Sequence, residues 1–140
     1  MIRSLAATGL TAAALAATLL APTVAHASSS GCTAIGDYRI RGIGPNQLCI
    51  AVRGSGLNVE SARVDFVAPA GGLNNVVLRI TFFDVHNRQV EQHRSRLYSG
   101  TRTAEDFTIH PGRDYPTGRV CGSITENGVE RPGACVGIHR

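Results

Sequence analysis

The sequence predicts an all-β protein, an antiparallel β-sandwich of about seven strands closed by two disulfides. Three observations carry that expectation. Short runs alternate apolar and polar residues with a period of two. Glycine, proline and asparagine punctuate the runs at close intervals. Four cysteines, Cys32, Cys49, Cys121 and Cys135, make an even count in a short chain.

The runs follow one another along the chain. Leu48, Ile50 and Val52 share a face, as do Ala62, Val64 and Phe66, with Arg63 and Asp65 opposite. Val76, Leu78, Ile80 and Phe82 form the strongest alternation, backed by Val77, Arg79, Thr81 and Phe83. Glu105, Phe107 and Ile109 come next, then Val120 and Ile124, then Ala134, Val136 and Ile138. Period two over short runs is the mark of half-buried strands, and no segment after residue 27 carries a helical stripe. Turns are expected at Gly42–Asn46, Gly54–Gly56, Pro69–Gly72, His86–Arg88, Ser99–Gly100 and Asn127–Gly128. Asn-Gly reaches positive φ cheaply, so Asn127-Gly128 reads as a hairpin tip.

The same alternation pairs the cysteines. With Val120 and Ile124 inward, Cys121 points out; with Ala134 and Val136 inward, Cys135 points out. Each is seven residues from Gly128, so a hairpin centred there sets them opposite one another. Cys49, between Leu48 and Ile50, also points out and is left with Cys32. The rival pairing, Cys49 with Cys121 across the sandwich, would turn the apolar faces outward. Zinc is disfavoured because no pair has C-x2-C spacing.

Residues 1–27 read as a cleavable secretory signal peptide. Arg3 supplies the positive start, Leu5 to Ala21 runs without a charge, and Ala25-His26-Ala27 is an A-x-A site. The apolar run is Ala-rich and too short to span a bilayer well. Lipid attachment at Cys32 is the minor alternative to a free secreted chain, because Ser29 stands where such a box wants a Leu-like residue. The expected organisation is therefore a signal peptide at 1–27, a loose lead-in at 28–36, and one β-sandwich domain at 37–140, secreted and without a membrane span after cleavage.

All 14 basic residues are Arg, and 13 of them face 10 acids after residue 27. With its signal and four Cys, this Arg- and Ala-rich composition resembles the small secreted proteins of high-GC Gram-positive bacteria, a likeness that implies export and no particular activity. Phe107-Thr108-Ile109-His110-Pro111-Gly112-Arg113-Asp114-Tyr115 resembles the corner before the penultimate strand of immunoglobulin-like and fibronectin type III-like domains. The resemblance implies an immunoglobulin-like sandwich in which the Tyr115 hydroxyl bonds nearby backbone. Pro116, Thr117 and Gly118 depart from the pattern, and Cys121 lies six residues on where antibody domains have two.

Local signals for catalysis are sparse. There is no G-x-S-x-G elbow, and Ser123 sits mid-strand. His86, His93, His110 and His139 show neither H-x-H nor H-E-x-x-H spacing. Glu105 and Asp106 are adjacent, so on a strand they diverge. Asp37, Asp84 and Asp114 lie near turns, where Asp commonly bonds backbone. With no Trp and only Tyr38, Tyr98 and Tyr115, a sugar-stacking platform is disfavoured. The expectation is a non-enzyme without cofactor or metal.

Two surfaces are candidates for binding. Arg88, Arg94, Arg96 and Arg102 make a basic stripe with His93, against Glu91 alone. On one strand Val90, Gln92, Arg94, Arg96 and Tyr98 would share a face. Such a stripe suits an anionic envelope polymer, a lipid head group or an acidic protein. It lacks the interleaved aromatics that nucleic acid would stack on. Its bland reading is an edge strand protected by charge. The second surface is the loop 126–133, with Asn127, Gly128, Val129, Glu130 and Arg131 stiffened by a disulfide at its base. The expected function is a secreted, non-catalytic binding or interaction protein. The alternatives are an inhibitor of an extracellular hydrolase acting through that loop, and a small hydrolytic enzyme.

Overall fold

A computed structural model describes residues 28–36 and 44–140. The expected signal peptide, Asp37, Tyr38 and the Gly42-Ile43 part of the first turn lie outside the described residues. The described chain is all strand and turn: β1 Ser29–Ala34, β2 Gln47–Ser55, β3 Asn58–Val67, β4 Leu73–Asp84, β5 Gln89–Arg94, β6 Tyr98–Arg102, β7 Ala104–Ile109, β8 Arg113–Asp114, β9 Gly118–Glu126, β10 Val129–Glu130 and β11 Ala134–Ile138. About seven strands are expected. The difference lies in β5/β6, β7/β8 and β10/β11, each an interrupted run, and in β1.

Two antiparallel sheets result. The first runs β1-β2-β3-β7, with β8 also on β3; the second runs β10-β9-β4-β5, with β11 on β9 and β6 on β4. They share one apolar core, because each strand turns its period-two apolar set inward. Leu48, Ile50, Val64, Phe66, Val76, Leu78, Ile80, Phe82, Val120, Ile124 and Val136 are all buried, as the alternation predicts. Phe107 and Ile109 of β7 pack against this core from its edge.

Both disulfides are the sequential ones, Cys32–Cys49 and Cys121–Cys135. Cys32 lies opposite Cys49 on β1 and β2, and Cys121 opposite Cys135 on β9 and β11. The first bridge also explains a departure from the sequence reading. Residues 28–36 are expected as a loose lead-in, yet Ser29–Ala34 pairs residue for residue with Gln47–Val52. Its own pattern is too polar to announce a strand; the edge of β2 and the covalent bond to Cys49 supply the reason to pair. β1 also packs on β11, where a Cβ on Gly31 would stand 3.1 Å from the carbonyl oxygen of Cys135.

Two further corrections concern β5 and β6. The break between them falls at Ser95–Leu97, whereas Ser99-Gly100, expected as a turn, is inside β6. Ser95 causes the break: its N–H donates to the Leu78 carbonyl (2.8 Å) and its hydroxyl accepts the Leu78 N–H (2.9 Å). The chain then re-enters one residue out of step. Arg79 faces Arg94, but Val76 faces Tyr98. Tyr98 is therefore buried while Val90, Gln92, Arg94 and Arg96 are exposed, and the single face expected for these five residues does not form.

Candidate functional site

The four stripe arginines separate. Arg88 closes the β4–β5 turn on Asp84 (2.8 Å), and Arg102 reaches Glu105 (3.4 Å). Arg96 lies over the Tyr98 ring, 5.4 Å from its centroid. Only Arg94 stays on the outer face of the second sheet. Backbone and side-chain hydrogen bonds from Arg88, with the His86 N–H, hold the Asp84 carboxyl below its usual range.

The second sheet brings different arginines together. Arg94 on β5 stands directly opposite Arg79 on β4, and Arg79 directly opposite Ser123 on β9. Farther along, Arg119 of β9 pairs with Phe83 of β4, and its guanidinium sits 5.0 Å from the ring centroid. The Arg79 side chain is only 20% exposed; Nη1 is 3.5 Å from Glu130 Oε1, and Nε is buried without a partner. Between the Arg79 and Arg119 rows lies buried Thr81, which accepts a hydrogen bond from Gln92 Nε2 (3.1 Å), and buried Thr125, opposite Val77, lies one row beyond Arg79. The face can offer guanidinium, amide and hydroxyl donors to an anion. Sequence reading missed it because Arg79, Arg94 and Arg119 sit on three different strands.

The 126–133 hairpin is firmly seated. Asn127 and Gly128 both have positive φ, 48° and 79°, as a two-residue primed turn requires. The Asn127 N–H donates to the Asn74 carbonyl (3.0 Å), and Asn75 Nδ2 donates to Asn127 Oδ1 (2.8 Å). Arg131 bonds Glu126 across the hairpin (2.6 Å), and Glu126 also accepts the Asn74 N–H (3.1 Å). Thr101 and Gly100 of β6 hold the Asn74 and Asn75 side chains from the other side. Val129 stands out at the tip, 60% exposed. Beside the hairpin, a cleft of about 570 Å³ is lined by Gly71, Gly72, Asn46, Asn74, Glu126 and Arg131. Ile35 and Gly36 also line it, where the chain leaves the described residues.

Tyr115 departs from the corner expected of it. It is buried and stacks on Phe82 with centroids 3.9 Å apart, but its hydroxyl donates to Glu91 Oε2 (2.6 Å), a carboxylate rather than backbone. Arg113 bonds the same carboxylate, and His93 Nε2 lies 2.7 Å from its other oxygen, off the line of a formed hydrogen bond. The Tyr115 bond, helped by Arg113 and His93, holds Glu91 below the ordinary carboxylate range against the effect of burial. Burial, with the bond to Glu91, pushes the Tyr115 hydroxyl up. Among the described residues the tyrosine that does bond backbone is Tyr98, whose hydroxyl donates to the Asp106 carbonyl (3.0 Å) in the opposite sheet.

The remaining candidates stay apart. Glu105 turns to Arg102, Asp106 to Arg63, and Asp114 accepts from Asn58. Ser123 is half-buried mid-strand, and His86, His110 and His139 are exposed singly. Among the described residues no three His, Cys, Asp or Glu side chains are grouped as metal ligands. No protein-family model, no curated protein and no solved structure matches this chain.

Proposed function

We propose that this chain is an exported, immunoglobulin-like binding module, non-catalytic, which engages an extracellular partner through the hairpin end of its sandwich. The observation that carries the reading is the seating of the hairpin tip. Asn74, Asn75, Thr101, Glu126, Asn127 and Arg131 all direct side-chain bonds to fixing it. A loop ordered before it meets a partner loses less entropy on binding. Two disulfides in a chain this short fit an oxidising, extracellular setting.

Strand order supports the immunoglobulin-like part. β3 pairs β7 in one sheet, while β4, β9 and β11 pair in the other. Immunoglobulin domains set their second and fifth strands side by side in one sheet, and their third, sixth and seventh in the other. If β2 is taken as the first strand, the correspondence covers every pairing except the fourth strand, which has no counterpart here. It also puts the 68–72 loop and the 126–131 hairpin at the end where variable domains carry binding loops, and those two segments line the cleft together.

The test is capture from culture medium and wall extract with the mature protein, against Val129→Asp. A partner held by the parent and lost by the variant, at an unchanged unfolding midpoint, supports the reading. Equal retention sinks it. The exposed Val129 also favours a second reading, inhibition of a secreted hydrolase. In that case the captured partner is an enzyme whose turnover falls as the module is titrated in. N-terminal sequencing of protein from the medium is expected to begin at Ser28.

A further inference from the structure

We infer that the outer face of β9, β4 and β5 binds a linear phosphate-bearing polymer, with Arg79 and Arg94 holding one phosphate and Arg119 another farther along the chain. This surface is separate from the hairpin tip and does not depend on the binding mode proposed above.

The first argument is charge. Like charges directly opposite on paired strands repel, and Arg79 and Arg94 are such a pair. Elsewhere Arg63, Arg88, Arg102, Arg113 and Arg131 each have a carboxylate partner, whereas Arg53, Arg96 and Arg140 stand singly without one among the described residues. On this face the one acid among the described residues is Glu130, 62% exposed, which touches Arg79 through Nη1 alone. Arg79 Nε is left buried without an acceptor, and Arg94 and Arg119 have no carboxylate partner among the described residues. An anion at this place offsets the repulsion between Arg79 and Arg94 and reaches Arg79 through the exposed part of its guanidinium.

The second argument is shape. Ser123, Arg79 and Arg94 form one row across three strands, each about 4.8 Å from the next. A phosphate presents several oxygens in a tetrahedron and accepts from donors that converge from different strands; a carboxylate is satisfied by one guanidinium fork. Arg119 belongs to the row of Phe83, four residues along β4 from Arg79, hence about 13 Å away. A single ion cannot touch both rows, whereas a chain of successive phosphates can. Among the described residues the face's one aromatic ring, Phe83, is covered by Arg119, so stacked bases have no platform there and the polymer is not a nucleic acid.

The test uses the full mature protein and fluorescence-labelled linear polyphosphate, read by anisotropy over a salt series. Binding is expected to weaken with salt as screening shortens. Arg94→Gln and Arg119→Gln should each reduce affinity by about tenfold, the loss of one charge-assisted contact. Arg88→Gln, a turn arginine off this face, should leave it within about twofold. Amide cross-peaks of Arg79, Thr81, Arg119 and Ser123 should move on titration, those of Asn127 and Gly128 at the hairpin tip should not, and Val129→Asp should bind as the parent does. Absence of polyphosphate binding overturns the proposal, as does an equal loss in Arg88→Gln. So does equal affinity for orthophosphate, for polyglutamate or for a single-stranded oligonucleotide. None of these outcomes bears on capture through the hairpin.

Discussion

Edge strands β1 and β11 meet along one side of the sandwich, and a disulfide ties each of them to its neighbour, β1 to β2 and β11 to β9. Along the other side the edges are β5/β6 and β7/β8, and polar side chains tie the two sheets directly. Tyr98 donates to the Asp106 carbonyl, and Glu91 gathers Tyr115 and Arg113. The first seam consists of covalent bonds within each sheet and close backbone contact between sheets. The second consists of hydrogen bonds and ion pairs between sheets over the Phe82–Tyr115 stack. The two therefore respond to different conditions. A reductant weakens the first through the unfolded state, which regains its chain entropy. A change of pH weakens the second through the ionisation of Glu91 and Tyr115.

The largest effect is expected from Phe82→Ala, which removes the ring on which Tyr115 lies and leaves a cavity under the polar seam. The loss should be about 3–5 kcal/mol by denaturant unfolding. A loss below about 1 kcal/mol would mean that Phe82 does not support that seam.

Removing the covalent seam comes next. Replacing Cys121 and Cys135 by Ser opens a bridge with a sequence separation of 14. The chain-entropy relation puts the loss at about 3 kcal/mol. The Cys32–Cys49 bridge, with a separation of 17, should behave alike. If the seams are independent, either pair of substitutions leaves the pH profile of stability unchanged in shape. A steeper acid limb would show that they are coupled.

Tyr115→Phe should lose about 1.5–3 kcal/mol at neutral pH, as for a hydrogen bond to a charged group. The more informative readout is pH. Glu91 is held below the ordinary carboxyl value of 4.5, so its contribution is present above that value and fades as pH falls through the lowered folded value. Tyr115 is raised above 10.0, so its contribution is complete below that value and fades as pH climbs past it. Unfolding midpoints measured from acid to alkaline pH should fall at both ends in the parent. In Tyr115→Phe the alkaline fall should shrink and the acid limb flatten. An identical profile would remove the seam's claim to pH sensitivity.

Tyr98→Phe should have the smallest effect, about 1 kcal/mol for one neutral hydrogen bond. No change at all would assign the sheet-to-sheet tie on that side to the Glu91 group alone.

How legible these regions were from the sequence differs in the same way. The disulfide seam could be read from alternation and counting, although the counting was right for an incomplete reason. The turn consists of Asn127 and Gly128 together, and Glu126 faces Val129. Continued without a break, that register would place Cys121 opposite Ala134. An extra residue within Arg131–Gly133 restores the register, and Cys121 faces Cys135. Tyr115 was singled out, but the backbone acceptor expected for its hydroxyl is not the one it has: it bonds Glu91, 24 residues away on a strand of the other sheet. The arginine stripe failed because Ser95 bonds both backbone groups of Leu78 and puts the chain out of step.

The sequence by itself determined the all-β character, the inward set of residues and both disulfides. The strands, their inward set and the Cys121–Cys135 bridge depend on period two or on a short count across one hairpin, both local properties of the chain, and Cys32–Cys49 followed as the remaining pair. Tertiary structure decided that Arg79 stands opposite Arg94, that Glu91 meets Tyr115, and that Asn74 and Asn75 seat the hairpin tip. Those contacts depend on register between strands and on packing between sheets. A one-residue bulge, such as those at Phe82/Phe83 and Asn74/Val76, shifts everything beyond it. Alternation looks the same on either side of such a bulge, so only the assembled sheets show which charges face one another.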